Sequence, residues 1–124
     1  MNLSLDQIKN NITAEIQIAA ELAQEFAAAC TAFAERDHAY RKAQSIAMLG
    51  IVANCAAKEK KEPTADVKRA QVDKECEIER LYQRLAQANK EGLKARLETC
   101  NGAITALQSL LKAELREADL TKYS

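Results

Sequence analysis

Apolar side chains recur every three or four residues along the first half of the chain, the spacing of one face of an α-helix. From Ile12 to Phe33 the steps settle mainly into alternating fours and threes, a heptad pattern that indicates packing against another helix. Ser4 and Gln7 precede this pattern at the spacing of a capping box. We therefore predict one helix from about residue 5 to about residue 59. Its contact face comprises Leu5, Ile8, Ile12, Ile16, Ala19, Ala23, Phe26, Cys30, Phe33, Tyr40, Ala47 and Ile51.

Three positions modify this first helix. Asp37 places a polar side chain in the apolar face, and Gly50 weakens the helix by about 1 kcal/mol relative to Ala. The pair Asn10-Asn11 leaves open an alternative in which a short N-terminal arm precedes the main helix.

A turn is predicted at about residues 60–64, because Pro63 cannot continue a helix. Thr64 is a suitable N-cap and Asp66 places a carboxylate in the next first turn, so a second helix is expected from about residue 65 to about residue 118. The remaining residues to Ser124 are expected to fray. The contact face of this helix comprises Val67, Ile78, Leu81, Leu85, Ala88, Leu93, Leu97, Cys100, Ile104, Leu107 and Leu111.

The apolar spacing of the second helix changes phase between Ala88 and Leu93, close to Gly92. In a coiled coil such a change is a stutter-like irregularity. The sequence therefore leaves three alternatives for residues 88–93: a continuous helix, a kink, or a break into two helices. Gly102 lies further along the same segment.

These elements define the expected fold, an all-α single domain over residues 1–124 built as a long antiparallel helical hairpin or coiled coil. The chain has 124 residues with 48% hydrophobic and only 4% aromatic side chains, which suits close helix–helix contact. Further apolar residues flank both faces, and they are Ile18, Leu22, Ala29, Leu110 and Leu115. Apolar faces of this width predict a homo-oligomer, a bundle or a ring.

Charge is balanced overall but unevenly placed. The chain has 18 basic and 18 acidic residues; residues 1–40 have a net charge of −4 and the remainder +4. No bilayer-spanning apolar run and no secretory leader is evident, so we expect a cytoplasmic protein without membrane association. Four well-separated cysteines suit free thiols in a reducing compartment, with Cys76 expected to be the most exposed.

No constellation of catalytic residues is evident, so an enzyme is not expected. His38 is the only histidine and has no nucleophile beside it in the sequence. Glu75, Glu77 and Glu79 are spread around a helix by their alternate spacing and do not converge on a metal. No glycine-rich phosphate loop is present, and neither a metal nor a cofactor is expected.

Basic residues are the most informative polar feature. One group surrounds the predicted turn and comprises Lys58, Lys60, Lys61, Lys68 and Arg69; a second consists of Arg41 and Lys42 after Tyr40. Arg80, Arg84, Lys90 and Lys94 also occur in pairs four residues apart. Such groups are suited to a phosphate backbone, although they also suit an ordinary solvated coiled-coil flank.

Four segments resemble small helical proteins of tailed phages, the UvsY-type recombination mediators. They are Ala39-Tyr-Arg-Lys-Ala43, Thr64-Ala-Asp-Val67, Leu81-Tyr-Gln-Arg-Leu-Ala86 and Ala106-Leu-Gln-Ser-Leu-Leu111. The resemblance implies an oligomer that binds single-stranded DNA in the cytoplasm of a bacterial host. It also implies a recombinase or a single-strand-binding protein as partner. The neutral net charge departs from this picture, as do the few tyrosines suited to base stacking, Tyr40, Tyr82 and Tyr123.

A second hypothesis uses the same helices differently. The apolar face and the acidic N-terminal third would grip a partner protein through helix-in-groove contacts. The chain would then be a helical adaptor, or a small phage-encoded inhibitor of a host complex.

Overall fold

The computed structural model describes residues 4–122, and all regular structure within this range is helical. Helix α1 spans Leu5–Ala57, α2 spans Ala65–Glu75 and α3 spans Glu77–Lys122. The all-α prediction is confirmed. Contacts group the chain into two compact units, one combining residues 4–28 with residues 91–122 and the other formed by residues 29–90.

The start of α1 is the predicted capping box. The Ser4 backbone N–H donates to Oε1 of Gln7 at 2.9 Å, and the Gln7 N–H donates to Oγ of Ser4 at 3.2 Å. Asp6 lies in the first turn, where the helix dipole favours a negative charge. The helix continues through Asn10 and Asn11, so no separate N-terminal arm forms.

The end of α1 lies at Ala57, two residues before the predicted boundary, and well before Pro63. The Lys60 N–H donates to the Cys55 carbonyl at 2.9 Å, and the Glu59 N–H to the Ala56 carbonyl at 3.2 Å. These two bonds form a Schellman motif, which satisfies the last carbonyls of a helix. Glu59 occupies its left-handed position with φ 54°, a conformation that glycine adopts at lower cost.

The predicted N-cap of the following helix is confirmed. Thr64 has extended backbone angles, and its Oγ1 accepts a hydrogen bond from the Val67 N–H at 3.4 Å. Asp66 lies in the first turn of α2 as expected.

The interruption after α2 lies at Cys76, not at residues 88–93. Cys76 has φ −101° and ψ 19°. It separates α2 from α3, whereas α3 is continuous through Gly92 and Gly102 and extends to Lys122, past the predicted end near residue 118. The interruption coincides with burial of the Cys76 side chain, which is 2% exposed. The expectation that Cys76 is the most exposed cysteine is wrong.

The unit formed by residues 4–28 and 91–122 has an apolar core from both segments. Ile8, Leu22, Leu93 and Cys100 are buried there. The second half of the predicted α3 face, from Leu93 to Leu111, is the inward face. In α1 the predicted face is wrong at Ile16 and Ala23, which are exposed, whereas Ala19 between them is half-buried.

Within that stretch of α1, Ile16 is 51% exposed while Leu22, predicted only to flank the face, is 5% exposed. Ala23 is also exposed, and Glu15 is half-buried in the inward position. The reason is a polar contact: the Cys100 thiol lies 3.2 Å from Oε2 of Glu15 and 3.3 Å from its carbonyl oxygen. A carboxylate that accepts a hydrogen bond from a nearby thiol can therefore lie on the inward side of α1, where the pattern predicts Ile16.

The unit formed by residues 29–90 is built around a small cluster of Ala47, Val72 and Cys76. Tyr40, Ala43 and Ile51 pack against this cluster. Closer to residue 29, polar contacts join α1 to α3: Nε2 of Gln83 donates to Oδ1 of Asp37 at 2.7 Å. Lys90 lies over Phe33 with its Nζ 4.2 Å from the ring centre. Partner numbers fall as α1 numbers rise, so these two segments run in opposite directions within the unit.

Candidate nucleic-acid interface

All seven predicted phosphate-binding residues lie in the unit formed by residues 29–90. The segment between α1 and α2, residues 58–64, is called the basic loop below. It holds three of the seven, Lys58, Lys60 and Lys61, and all three are exposed. None of them forms an ion pair with another residue of the described chain. The Schellman motif at Glu59 fixes the backbone that presents them.

The two predicted residues on α2 differ from each other. Nζ of Lys68 lies 3.0 Å from Oε2 of Glu62, and the Lys68 side chain is only 19% exposed. The Lys68 ammonium group is therefore already paired with a carboxylate of the protein and is less available to a phosphate. Arg69 is exposed and has no ion pair among the described residues, so it is free to add a cation beside the basic loop.

The remaining pair lies further along α1. Nε of Arg41 is 3.0 Å from Oδ2 of Asp37, although 76% of the Arg41 side chain remains exposed. Lys42 is exposed. Residues 42 and 58 are separated by roughly 24 Å along a helix at 1.5 Å per residue. Lys42 is therefore well separated from the basic loop, whereas Lys68 and Arg69 line a small pocket with Gln44 and Met48 of α1.

The tyrosines offer little surface for base stacking. Tyr40 packs against the cluster of Ala47, Val72 and Cys76 and is half-buried. Tyr82 is 47% exposed, and the Arg36 guanidinium lies 4.7 Å from its ring centre. Tyr123 lies outside the described residues. Binding through this interface would therefore depend on phosphate contacts more than on stacking.

The basic pairs along α3 are also divided by the fold. Arg80 and Lys90 are half-buried, whereas Arg84 and Lys94 are exposed. The sequence pattern predicts that each pair shares one face. Contacts such as that of Lys90 with Phe33 explain the difference, because a Lys stem and ammonium group can cover an aromatic ring.

A broad groove in the same unit lies between α1 and the α2–α3 region. Its volume is about 1200 Å³, and it is lined by apolar residues that include Ile46, Ala47 and Ile51, with Glu75 and Glu79 among its polar residues. Cys55 and Cys76 both line it. Ile46, which lines the groove, is 61% exposed, and Leu49 of the same helix is 68% exposed.

The four cysteines fall into two classes. Cys76 and Cys100 are buried, and Cys30 and Cys55 are half-buried; all four are free thiols. Burial raises the pKa of the Cys76 thiol above its ordinary value of 9.0, and the charges of Glu79, Glu75 and Asp73 raise it further. Burial also raises the pKa of Cys100, with the hydrogen bond and charge of Glu15 adding to the effect.

These directions predict different thiol reactivities. In variants that keep one cysteine each, Cys76 and Cys100 should react with an aromatic disulfide reagent at least about tenfold more slowly than Cys30 and Cys55, because burial limits reagent access to Cys76 and Cys100 and their raised pKa lowers their own thiolate fraction. Stopped-flow absorbance at pH 8 measures the rates, and the same variants in denaturant should react alike. Equal rates for Cys55 and Cys76 in the folded protein would contradict the burial of Cys76.

Comparison with known proteins adds no relative: neither the family models, nor the curated proteins, nor the solved structures match this chain. Within residues 4–122, none of the helices has the length and apolar character needed to cross a membrane. The same residues contain no group of three or more His, Cys, Asp or Glu side chains arranged to hold a metal ion.

Proposed function

We propose that this protein is a non-enzymatic accessory protein of DNA recombination that binds single-stranded DNA and assists the loading of a recombinase. One observation supports the DNA-binding part: the basic loop presents three exposed lysines between positions 58 and 61, and none of them has an ion pair among residues 4–122. The proposed partner, a recombinase or a single-strand-binding protein, is inferred from the resemblance to UvsY-type mediators. The proposed setting is the cytoplasm of a bacterial host.

Electrostatics explains why this loop is the favoured contact. A cation already paired within the protein gains little from a phosphate, since its charge is partly neutralised, whereas an unpaired cation releases a counterion from the DNA. Lys58, Lys60, Lys61 and Arg69 meet this condition, and Lys68 does not. A patch of four cations binds weakly alone, and repetition of the chain in an oligomer would make it multivalent.

The test is the salt dependence of oligonucleotide binding. Fluorescence anisotropy of a labelled single strand, at 50 and at 200 mM salt, compares the protein with the variant Lys58→Ala/Lys60→Ala/Lys61→Ala. Removing three phosphate contacts should lower the slope of log affinity against log salt by about 2, at about 0.7 per contact, and weaken binding at 50 mM salt by about tenfold or more.

The matched control removes three exposed cations from the other unit, Lys94→Ala/Lys112→Ala/Arg116→Ala. It should keep most of the affinity, because it changes net charge equally without touching the basic loop. Equal losses in both variants would show that only net charge matters. If the protein does not bind the oligonucleotide at 50 mM salt, the proposed DNA-binding function is wrong. A recombinase-loading assay on strands coated with a single-strand-binding protein provides a second readout. The unmodified protein and the control variant should stimulate loading, and the loop variant should not.

A second candidate function is that of a helical adaptor or inhibitor that binds a host protein. The observation favouring it is that Ile16 and Ile18, in the acidic N-terminal third, are 51% and 44% exposed. Exposed apolar side chains among carboxylates suit a partner groove with a basic rim. The oligonucleotide titration separates the two candidates, because the adaptor requires no affinity for DNA and no effect of the loop lysines.

A further inference from the structure

The first part of α3 presents a row of large apolar side chains to solvent. Ile78, Leu81 and Leu85 are 66%, 55% and 57% exposed. Their spacings of three and four residues place them on one side of the helix. The sequence pattern predicts that these same residues form the contact face with α1, and that prediction is wrong. They are called the outer α3 row below.

Polar residues take the inward positions of this segment instead. Gln83 is half-buried and bonded to Asp37, and Lys90 is half-buried over Phe33. With the inward side occupied by these contacts, no rotation of α3 about its axis can bury the outer row within the same unit without breaking them. A contiguous exposed apolar row of this kind gains free energy when another surface covers it.

Two charged residues lie beside the outer row on the same flank. Glu77 and Arg84 are both exposed and are seven residues apart, which places them at equivalent positions two turns apart. No ion pair joins either of them to another described residue. One segment therefore carries an apolar row with an anion towards one end and a cation towards the other.

We propose that the outer α3 row is the contact between two copies of this chain, paired antiparallel around a two-fold axis. In the register where Ile78 of one copy packs on Leu81 of the other, Glu77 of each copy lies opposite Arg84 of the other. Symmetry produces this ion pair twice. A closed two-fold interface requires such self-complementarity, in which the same patch serves both partners.

Charge also rejects the neighbouring registers. Shifting the antiparallel pair by one heptad, so that Leu81 packs on Leu85, would place Arg84 against Arg84. A parallel pair would set the flank of Glu77 and Arg84 against Tyr82 and Asn89, which offer no opposite charge. The register with Ile78 on Leu81 is the one among these that pairs the flanking charges; it packs Ile78 and Leu81 of the two copies on each other and places Leu85 opposite Lys74, whose methylene stem can pack on a leucine. Pairing of the two copies does not depend on DNA binding and can be measured without nucleic acid.

A charge exchange tests the register directly. Sedimentation equilibrium of the full chain without DNA should show a dimer whose dissociation constant rises about tenfold in Glu77→Arg and in Arg84→Glu, since each change makes both symmetric pairs repulsive. The double variant Glu77→Arg/Arg84→Glu should return close to the original constant. Because Arg at position 77 opposes the α3 dipole in the single and the double variant alike, recovery in the double variant reports the ion pair and not helix stability.

An apolar disruption provides the second arm. Leu81→Glu should raise the dissociation constant at least about 100-fold, while Leu120→Glu, a change at a side chain 68% exposed near the other end of α3, should leave it unchanged. Circular dichroism checks that both variants remain helical. Three outcomes would overturn the proposal: a chain that stays monomeric at millimolar concentration, a dimer that survives Leu81→Glu, or a double charge variant as weak as the singles. A chain that stays monomeric would indicate that a different protein covers the outer α3 row.

Discussion

Replacing Leu22 by Ala should lower the free energy of unfolding by about 3 kcal/mol, whereas replacing Ile16 by Ala should change it by less than about 0.5 kcal/mol. The two residues lie six positions apart on α1, in the same unit. Leu22 is 5% exposed and Ile16 is 51% exposed. Truncating a buried leucine removes its transfer free energy and leaves a cavity, while an exposed isoleucine on a helix loses little and gains helix propensity as alanine.

This pair of variants separates the observed inward face from the one that the heptad pattern predicts. Urea unfolding followed by the helical circular dichroism signal provides both free energies. Any self-association must be removed first, because association with another copy raises apparent stability. The measurement is therefore made in a Leu81→Glu background at one protein concentration. A larger loss for Ile16→Ala than for Leu22→Ala would restore the predicted face and contradict the structure.

The error in the predicted α1 face has a physical origin. Heptad reasoning selects the most apolar residue within reach of each step, and here it preferred Ile16 to the neighbouring Glu15. It could not foresee that a thiol 85 residues away would contact the Glu15 carboxylate. In an alanine-rich helix, moving the contact face by one residue changes the average hydrophobicity of that face very little. The sequence therefore specifies only weakly which side of α1 faces inward.

The first part of α3 shows a different limit. Periodicity correctly found an apolar row at Ile78, Leu81 and Leu85, but periodicity does not say what covers a row. The inward positions are filled by residues whose partners are distant in sequence, as with Gln83 and Asp37. Asp37, which interrupted the α1 pattern, was the one signal of a polar contact on this side.

Local signals were more reliable than the long-range ones. The capping box at Ser4 and the N-cap at Thr64 depend on neighbouring residues only, and the structure confirms both. Pro63 correctly indicated a turn, yet the end of α1 is set by the Schellman motif at Glu59, which has no glycine to reveal it. Similarly, the sequence identifies the basic residues, while the pairing of Lys68 with Glu62 required the folded loop.

Replacing Gly92 by Ala should raise the free energy of unfolding by about 1 kcal/mol, and Gly92→Pro should lie about 3 kcal/mol below the alanine variant. The structure places Gly92 inside a continuous α3, without positive φ, and an added Cβ there would meet no atom within 4 Å apart from those of the neighbouring residues and backbone of its own helix. An alanine there is therefore free of strain, and it reduces the conformational entropy of the unfolded chain. Proline removes a helical hydrogen-bond donor and clashes with the preceding turn.

Gly50 and Gly102 have the same surroundings, so they serve as internal comparisons. Because the three sites are far apart in the sequence and an added Cβ at each meets open space, their effects should add, and the triple alanine variant should gain about 2–3 kcal/mol in urea unfolding. A helix that was broken at residues 88–93 would respond differently: Gly92→Ala would then destabilise the protein while Gly102→Ala still stabilised it, and Gly92→Pro would be tolerated. The sign of the Gly92→Ala effect thus decides between the continuous α3 and the kink that the phase shift at Ala88 suggested.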